Sequence, residues 1–175
     1  KRDRVSCDGL LRMLADLESD LFRRMICSVS SNGLNKLVPS LIVRLDSAED
    51  DLAETFAALL ITETAKATRM PADSEFRQAL LGENLYRPAW RCKYLLAGLE
   101  NYNHPKDPRS FSEYTIEHIM PQNAIAHAEW RNMLADLDRF PLLVNSLGNL
   151  TLTAYNSELT EGPFEHKKNQ AVGGY

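Results

Sequence analysis

Two short stretches constrain the fold more than any other part of the chain, Tyr114–Gln122 and Leu147–Asn156. In the first, strand-type residues lead to an acid and an imidazole, Glu117 and His118, and a proline then stops regular pairing. In the second, leucines flank a Gly-Asn pair, and a polar segment containing Asn156 follows. This order predicts two short strands and then a helix. Oxygen donors beside one base suit metal-assisted hydrolysis.

The ordered set of motifs resembles the HNH (ββα-metal) nuclease motif, in the version of the C-terminal domain of GmrSD-type modification-dependent restriction enzymes. The resemblance rests on Glu117-His118-x-x-Pro121, Gly148-Asn149-Leu150-Thr151-Leu152, Asn156 and Phe164-x-x-Lys167. It extends upstream through Phe22-Arg23-Arg24-Met25, Asn35-Lys36, Pro71-x-Asp73-x-x-Phe76, Leu85-Tyr86 and Leu95-Leu96-x-x-Leu99-Glu100. Each fragment alone is weak, whereas the ordered set is fairly specific and covers most of the chain.

The resemblance implies a role for each matching residue. His118 would be the general base that takes a proton from the attacking water. Glu117 and Asn156 would bind one divalent cation, and their hard oxygen donors favour Mg²⁺, or Mn²⁺, over zinc. Asn149 would bridge backbone groups and hold the loop that carries His118. Asn156 completes the catalytic set, and Lys167 would contact a phosphate of the substrate.

Each of these assignments competes with a structural interpretation. A lone histidine on a strand is more often a hydrogen-bonded structural group, and a lysine at a helix end is more often solvated. Glu117 and His118 would point to opposite faces of a regular strand, so they converge on one ion only if the strand ends or bends there. Gly148 is expected to adopt a positive φ. His166 is an alternative metal ligand that ranks below Asn156.

Apolar positions at helical spacing fill the first part of the chain, including residues 8–29 and about 87–100. The second helix is expected to be interrupted at Pro39, and Ser47 is expected to cap the third. Arg23 and Arg24 are interpreted as a solvated helix end, with a phosphate contact as the alternative. A stripe on the later helix is expected in the core; it comprises Trp90, Tyr94, Leu95, Leu99 and Tyr102.

The predicted fold class is therefore α+β, with a mainly helical N-terminal lobe and a ββα-metal (HNH) nuclease lobe. The lobes comprise residues 1–108 and 109–175. We expect the two lobes to form one compact unit, and we expect the chain to be a fragment of a longer protein. At 175 residues with 44% hydrophobic content, the chain can bury one sizeable core.

The net charge and the cysteine content indicate which partners and which cellular compartment to expect. The net charge of −4 does not indicate nucleic-acid binding on its own, so a separate domain is expected to hold the DNA. The resemblance implies an N-terminal NTPase-like sensor of modified DNA, and no G-x-x-x-x-G-K-[ST] loop occurs in this sequence. Three isolated cysteines form no disulfide framework or zinc motif, and no membrane segment is visible, which favours a reducing, bacterial cytoplasm.

The sequence predicts a metal-dependent DNA endonuclease of a restriction or phage-defence system, which either nicks or cuts both strands. The first alternative is a catalytically inactive module on an HNH scaffold that binds DNA or protein. The second is an RNA-directed nuclease, because this chemistry does not by itself distinguish the two sugars.

Overall fold

The computed structural model describes residues 4–82, 84–159 and 161–169, and the chain divides into two compact units between Ala79 and Leu80. This division precedes the lobe boundary that we predicted at 108/109. The reason is helix α5 (Ala89–Asn103), which contacts both strands of the second unit and so belongs with the sheet.

The first unit is helical. It contains α1 (Cys7–Ile26), α2 (Leu34–Asp46), α3 (Leu52–Thr62) and most of α4 (Asp73–Gly82). Ser6 caps α1 by accepting a hydrogen bond from the backbone of Gly9. The core of the first unit is made of residues from α2 and α3 that recur at helical spacing, namely Leu37, Leu41, Phe56, Leu59 and Leu60.

Two expectations about the helices of the first unit were wrong. Pro39 does not interrupt α2, which is continuous from Leu34 to Asp46. Pro39 lies on the exposed face, so water can satisfy the carbonyl that loses its partner there, while Leu37 and Leu41 remain packed. Ser47 ends α2 instead of capping α3, because the carboxylate of Asp51 accepts from two backbone N–H groups of the first turn of α3.

The second unit contains α5, one antiparallel strand pair and several short helices. Strand β1 (Thr115–His118) pairs with β2 (Leu150–Thr153), with Glu117 opposite Thr151 and His118 opposite Leu150. Between the strands lie α6 (Ala128–Met133) and α7 (Phe140–Leu143), and after them come α8 (Asn156–Leu159) and α9 (Phe164–Lys168). The α+β, mainly helical fold class is confirmed, as is the order of two strands and then a helix.

Of the stripe that we expected in the core, Leu95 is buried, but the aromatic residues Trp90, Tyr94 and Tyr102 of α5 are exposed. Trp90 is 63% exposed and Tyr102 is 83% exposed. The helix packs instead through Arg91, Cys92 and Leu95, which are buried on another side of it. Along the part of the chain that the structure describes, no helix has the length and apolar character needed to cross a membrane.

Candidate active site

The end of β1 is the place where most of the predicted site residues meet. Regular pairing stops at His118, and the next residue, Ile119, donates its N–H to the backbone carbonyl of Asn149 at 3.0 Å. Asn149 ends a short 3-10 turn, Leu147–Asn149, directly before β2. The turn after β1 and the turn before β2 are therefore tied together at the same end of the sheet.

The side chain of Asn149 bridges three backbone groups. Its Oδ1 accepts from the N–H of Met120 at 2.7 Å, and its Nδ2 donates to the carbonyls of Met120 and Val144 at 2.9 and 2.8 Å. The residue is 8% exposed, so these bonds satisfy polar groups that water hardly reaches. Gly148, next to it, does not adopt the positive φ that we expected, because it is part of the 3-10 turn.

His118 is buried against polar partners and one ring. Its Nε2 lies 3.0 Å from Oδ1 of Asn145 and 3.3 Å from Nε2 of Gln122. The ring of Tyr86 meets the imidazole edge-on, with the centroids 4.5 Å apart. His118 is 8% exposed, so little of its side chain is accessible to solvent.

Sequence reasoning missed Asn145 as a partner of His118, and it assigned no role to Gln122. Tyr86 belongs to a motif of the resemblance, but its contact with the imidazole was not predicted. Asn145 lies 27 residues from His118 in the sequence. It is not part of any recognised motif, and an asparagine near a turn is common, so the sequence gives no indication of this contact.

Glu117 and Lys167 form a buried ion pair. Nζ of Lys167 donates to Oε1 of Glu117 at 2.6 Å and to the carbonyls of His118 and Ile119 at 3.0 and 3.2 Å. An ammonium has three N–H donors, and three acceptors are in place here. Lys167 is only 1% exposed, so the phosphate contact that we predicted for it would require it to leave these acceptors.

Asn156 is the first residue of α8 and is exposed. Its Nδ2 donates to the carbonyl of Ile116 at 3.3 Å, which places the amide beside β1, one residue before Glu117. His166, the lower-ranked ligand, is also exposed and lies on α9. The structure therefore brings Glu117, Asn156 and Lys167 to the same strand, while the His118 ring contacts a different set of partners.

Carboxylate, imidazole and thiol groups do not by themselves form a metal centre here. Within residues 4–82, 84–159 and 161–169, no three His, Cys, Asp or Glu side chains gather around one point. Cys7, Cys27 and Cys92 are not joined in disulfide bonds. Burial raises the pKa of the Cys92 thiol to about 11, so this group stays protonated near neutral pH and is a poor metal ligand.

Comparison with known proteins places this site in a family context. A family model described as GmrSD restriction endonucleases, C-terminal domain, matches residues 70–172, which is more than half of the chain. The match contains every residue discussed above for the site, whereas the resemblance that we noted at Phe22–Met25 and Asn35-Lys36 lies outside it. No curated protein and no solved structure matches the chain.

Proposed function

Because the chain belongs to the GmrSD restriction endonuclease C-terminal domain family, we propose that it is a metal-dependent DNA endonuclease of the HNH type. The observation that carries the proposal is the order and position of the site residues. An antiparallel strand pair is followed by a helix, with His118 at the last position of β1 and Asn156 at the first position of α8.

His118 is the proposed general base. An attacking water must lose a proton as it adds to the phosphorus, and a neutral imidazole accepts protons near neutral pH. The ring cannot swing freely, since Asn145 and Tyr86 contact it from two directions. A base that is already oriented avoids the cost of ordering it in the transition state.

Glu117 and Asn156 are the proposed holders of Mg²⁺ or Mn²⁺. One carboxylate and one amide are hard oxygen donors that suit an ion which keeps several waters. The ammonium of Lys167 holds the Glu117 side chain in place, because its Nζ lies 2.6 Å from Oε1 of Glu117 and both side chains are buried. When bound, the ion would polarise the phosphate and stabilise charge on the leaving oxygen.

Asn149 is proposed to act through the loop. Its three hydrogen bonds join the backbone of Met120 to that of Val144, and Met120 lies two residues after His118. The phosphate contact of Lys167 is retained as a proposal only for a state in which substrate competes for the ammonium.

The family also supports a proposal about the cellular setting. We propose that the chain acts in restriction or phage defence in the bacterial cytoplasm, on DNA that an N-terminal NTPase-like sensor of the same protein selects as modified. The net charge of −4 supports this division of labour, since a nuclease without an excess of basic residues gains from a partner that binds the phosphate backbone.

One observation favours the inactive binding module as a second candidate. Glu117 is engaged by a buried lysine, and His118 is 8% exposed, so both groups must become more accessible for catalysis. A module that keeps this geometry would bind DNA or protein without cutting. Cleavage assays separate the two candidates.

The test is cleavage of supercoiled plasmid with Mg²⁺, with EDTA, and by the His118→Ala variant. We expect activity only with the metal, and a rate about 10²–10⁴-fold lower in the variant, as is usual when a general base is lost. The matched control is His104→Ala, because His104 is a half-exposed histidine whose charged partner is Glu100. Equal rates for His118→Ala and the native chain would contradict the proposed base.

Two further arms of this assay address the alternatives. Nicked and linear products distinguish cleavage of one strand from cleavage of both. A structured RNA run in parallel tests the RNA-directed nuclease. Absence of metal-dependent cleavage with every substrate would contradict the proposal and favour the binding module.

A further inference from the structure

We propose that Asn145 is a positioning residue that selects the tautomer of His118, with the proton on Nε2 and the lone pair on Nδ1. The inference rests on the proposed function for its catalytic consequence. Its structural content, the position of one proton, can be tested without substrate or metal.

The first step is the polarity of the contact. Oδ1 of an asparagine amide only accepts hydrogen bonds, and it lies 3.0 Å from Nε2 of His118. A neutral imidazole carries one N–H and one lone pair, so an oxygen facing Nε2 favours the form with the proton there. Among the described residues, Nδ1 has no hydrogen-bond partner, which leaves its lone pair available to a water.

The second step concerns Gln122, whose Nε2 lies 3.3 Å from the same ring nitrogen and would favour the opposite tautomer. The contact with Asn145, at 3.0 Å, is shorter than the contact with Gln122, at 3.3 Å. A half-turn of the Gln122 amide exchanges its oxygen and nitrogen at almost no steric cost. Both side chains then accept from one Nε2–H, and the conflict between the two contacts disappears.

The third step is the rigidity of Asn145. Its backbone carbonyl accepts from the N–H of Leu85 at 3.1 Å, and the adjacent residue of that segment is Tyr86, whose ring meets His118. On its other side, the carbonyl of Val144 accepts from Asn149. The backbone around Asn145 is therefore held on both sides, by Leu85 next to Tyr86 and by Asn149, which keeps the residue beside the His118 ring.

With this tautomer, hydrolysis of the phosphodiester needs only water and the His118 imidazole as reacting groups. The O–H bond of the attacking water breaks and its proton goes to Nδ1 of His118, while the oxygen bonds to phosphorus and the bond to the leaving oxygen breaks. The imidazolium formed carries both N–H groups, and Oδ1 of Asn145 continues to accept from Nε2–H. The leaving oxygen takes up a proton from solvent, and the imidazolium later releases its own.

The test is a long-range ¹H–¹⁵N correlation spectrum of the histidine rings in the 175-residue chain, at a pH where the ring is neutral. The spectrum of His118→Gln identifies the signals of His118. We expect Nε2 at the protonated, pyrrole-type position and Nδ1 at the unprotonated, pyridine-type position. The reverse pattern in the native chain overturns the proposal.

Variants give the second reading. Asn145→Asp keeps an acceptor beside Nε2 and should keep the tautomer, whereas Asn145→Leu should convert the ring to a mixture of tautomers or to the Nδ1–H form. Gln122→Met is the matched control, because it removes the other amide and should leave the tautomer unchanged. A change of tautomer in Gln122→Met, or none in a folded Asn145→Leu, would assign the selection to a group other than Asn145.

Kinetics connect the proton position to the proposed function. Asn145→Leu should lower kcat by about 10–100-fold, the usual effect of removing a group that orients a functional histidine, with KM unchanged and with recovery in Asn145→Asp. If no variant and no native chain cuts any substrate, the proposed function fails while the tautomer result stands. If the chain cuts normally in Asn145→Leu, the positioning role fails while the nuclease assignment stands.

Discussion

Among the described residues, each compact unit contains a buried ion pair in which the cation also donates to backbone carbonyls. In the first unit, Arg24 bonds to Asp20 at 2.8 Å and to the carbonyls of Thr68 and Arg69, and the two side chains are 4% and 0% exposed. In the second, Lys167 bonds to Glu117 and to the carbonyls of His118 and Ile119. Both cations fix an irregular segment of chain by satisfying groups that water does not reach.

The difference lies in the distance along the chain and in the neighbourhood. Asp20 and Arg24 are four residues apart on one helix, whereas Glu117 and Lys167 are 50 residues apart and meet beside the proposed catalytic base. The first pair has no proposed role in catalysis, so the arrangement alone does not indicate function. A functional meaning for the second must therefore come from a property that the first pair lacks, and the Mg²⁺ binding proposed for Glu117 is the property to test.

Removing each cation should give the largest effects on stability. Arg24→Met and Lys167→Met each leave a buried carboxylate without its partner, which costs about 3–5 kcal/mol of unfolding free energy. If Glu117 holds the proposed ion, Mg²⁺ should restore part of the loss in Lys167→Met and none in Arg24→Met. Thermal or denaturant unfolding with Mg²⁺ and with EDTA measures both.

The neighbouring lysine provides the control for this pair of variants. Lys168→Met removes an exposed ammonium one residue away and should change stability by less than about 0.5 kcal/mol. Equal insensitivity of Arg24→Met and Lys167→Met to Mg²⁺ would make the two ion pairs equivalent, and it would remove Glu117 from the proposed ligands.

The loop amide should have a smaller effect, independent of metal. Asn149→Asp keeps the acceptor for Met120 N–H but places a carboxylate oxygen against the carbonyls of Met120 and Val144. We expect a loss of about 2–3 kcal/mol, because two buried carbonyls lose their donor. Asn169→Asp, at an exposed position, is the control, and chemical denaturation is the measurement. A fully stable Asn149→Asp chain with lost cleavage would point to a direct catalytic role instead.

An exposed ion pair of the first unit should have the smallest effect. The Arg69 side chain, and then the N–H of Ala72, lower the pKa of Glu75 from 4.5 to about 2. A lowered carboxyl pKa contributes stability above pH 4.5, and this contribution is lost as the pH falls toward 2. The Tm difference between the native chain and Glu75→Gln should therefore be small at neutral pH and shrink below pH 4.5. A difference that grows on acidification would contradict this reasoning.

Helix positions and the site motif could be predicted from local patterns. The spacing of apolar residues located α1, α2 and α5, and the order of motifs indicated the β1, β2 and α8 sequence. The apolar residues Ala128, Trp130, Met133 and Leu134 favour one helix over residues 124–137, but the chain forms a 3-10 turn and then the short α6 there. The core position of Trp90 failed because a helix with apolar residues on several sides does not reveal which side will be covered.

The sequence by itself determined the family, the α+β class and several of the residues that converge on the end of β1, including Glu117, His118 and Asn149. Only the tertiary structure decided that Lys167 faces Glu117 and that Asn145 faces His118. Local periodicity records which residues share a face of one helix or strand. Contacts between residues 27 to 50 positions apart depend on the path of the intervening chain, which leaves no periodic signal in the sequence.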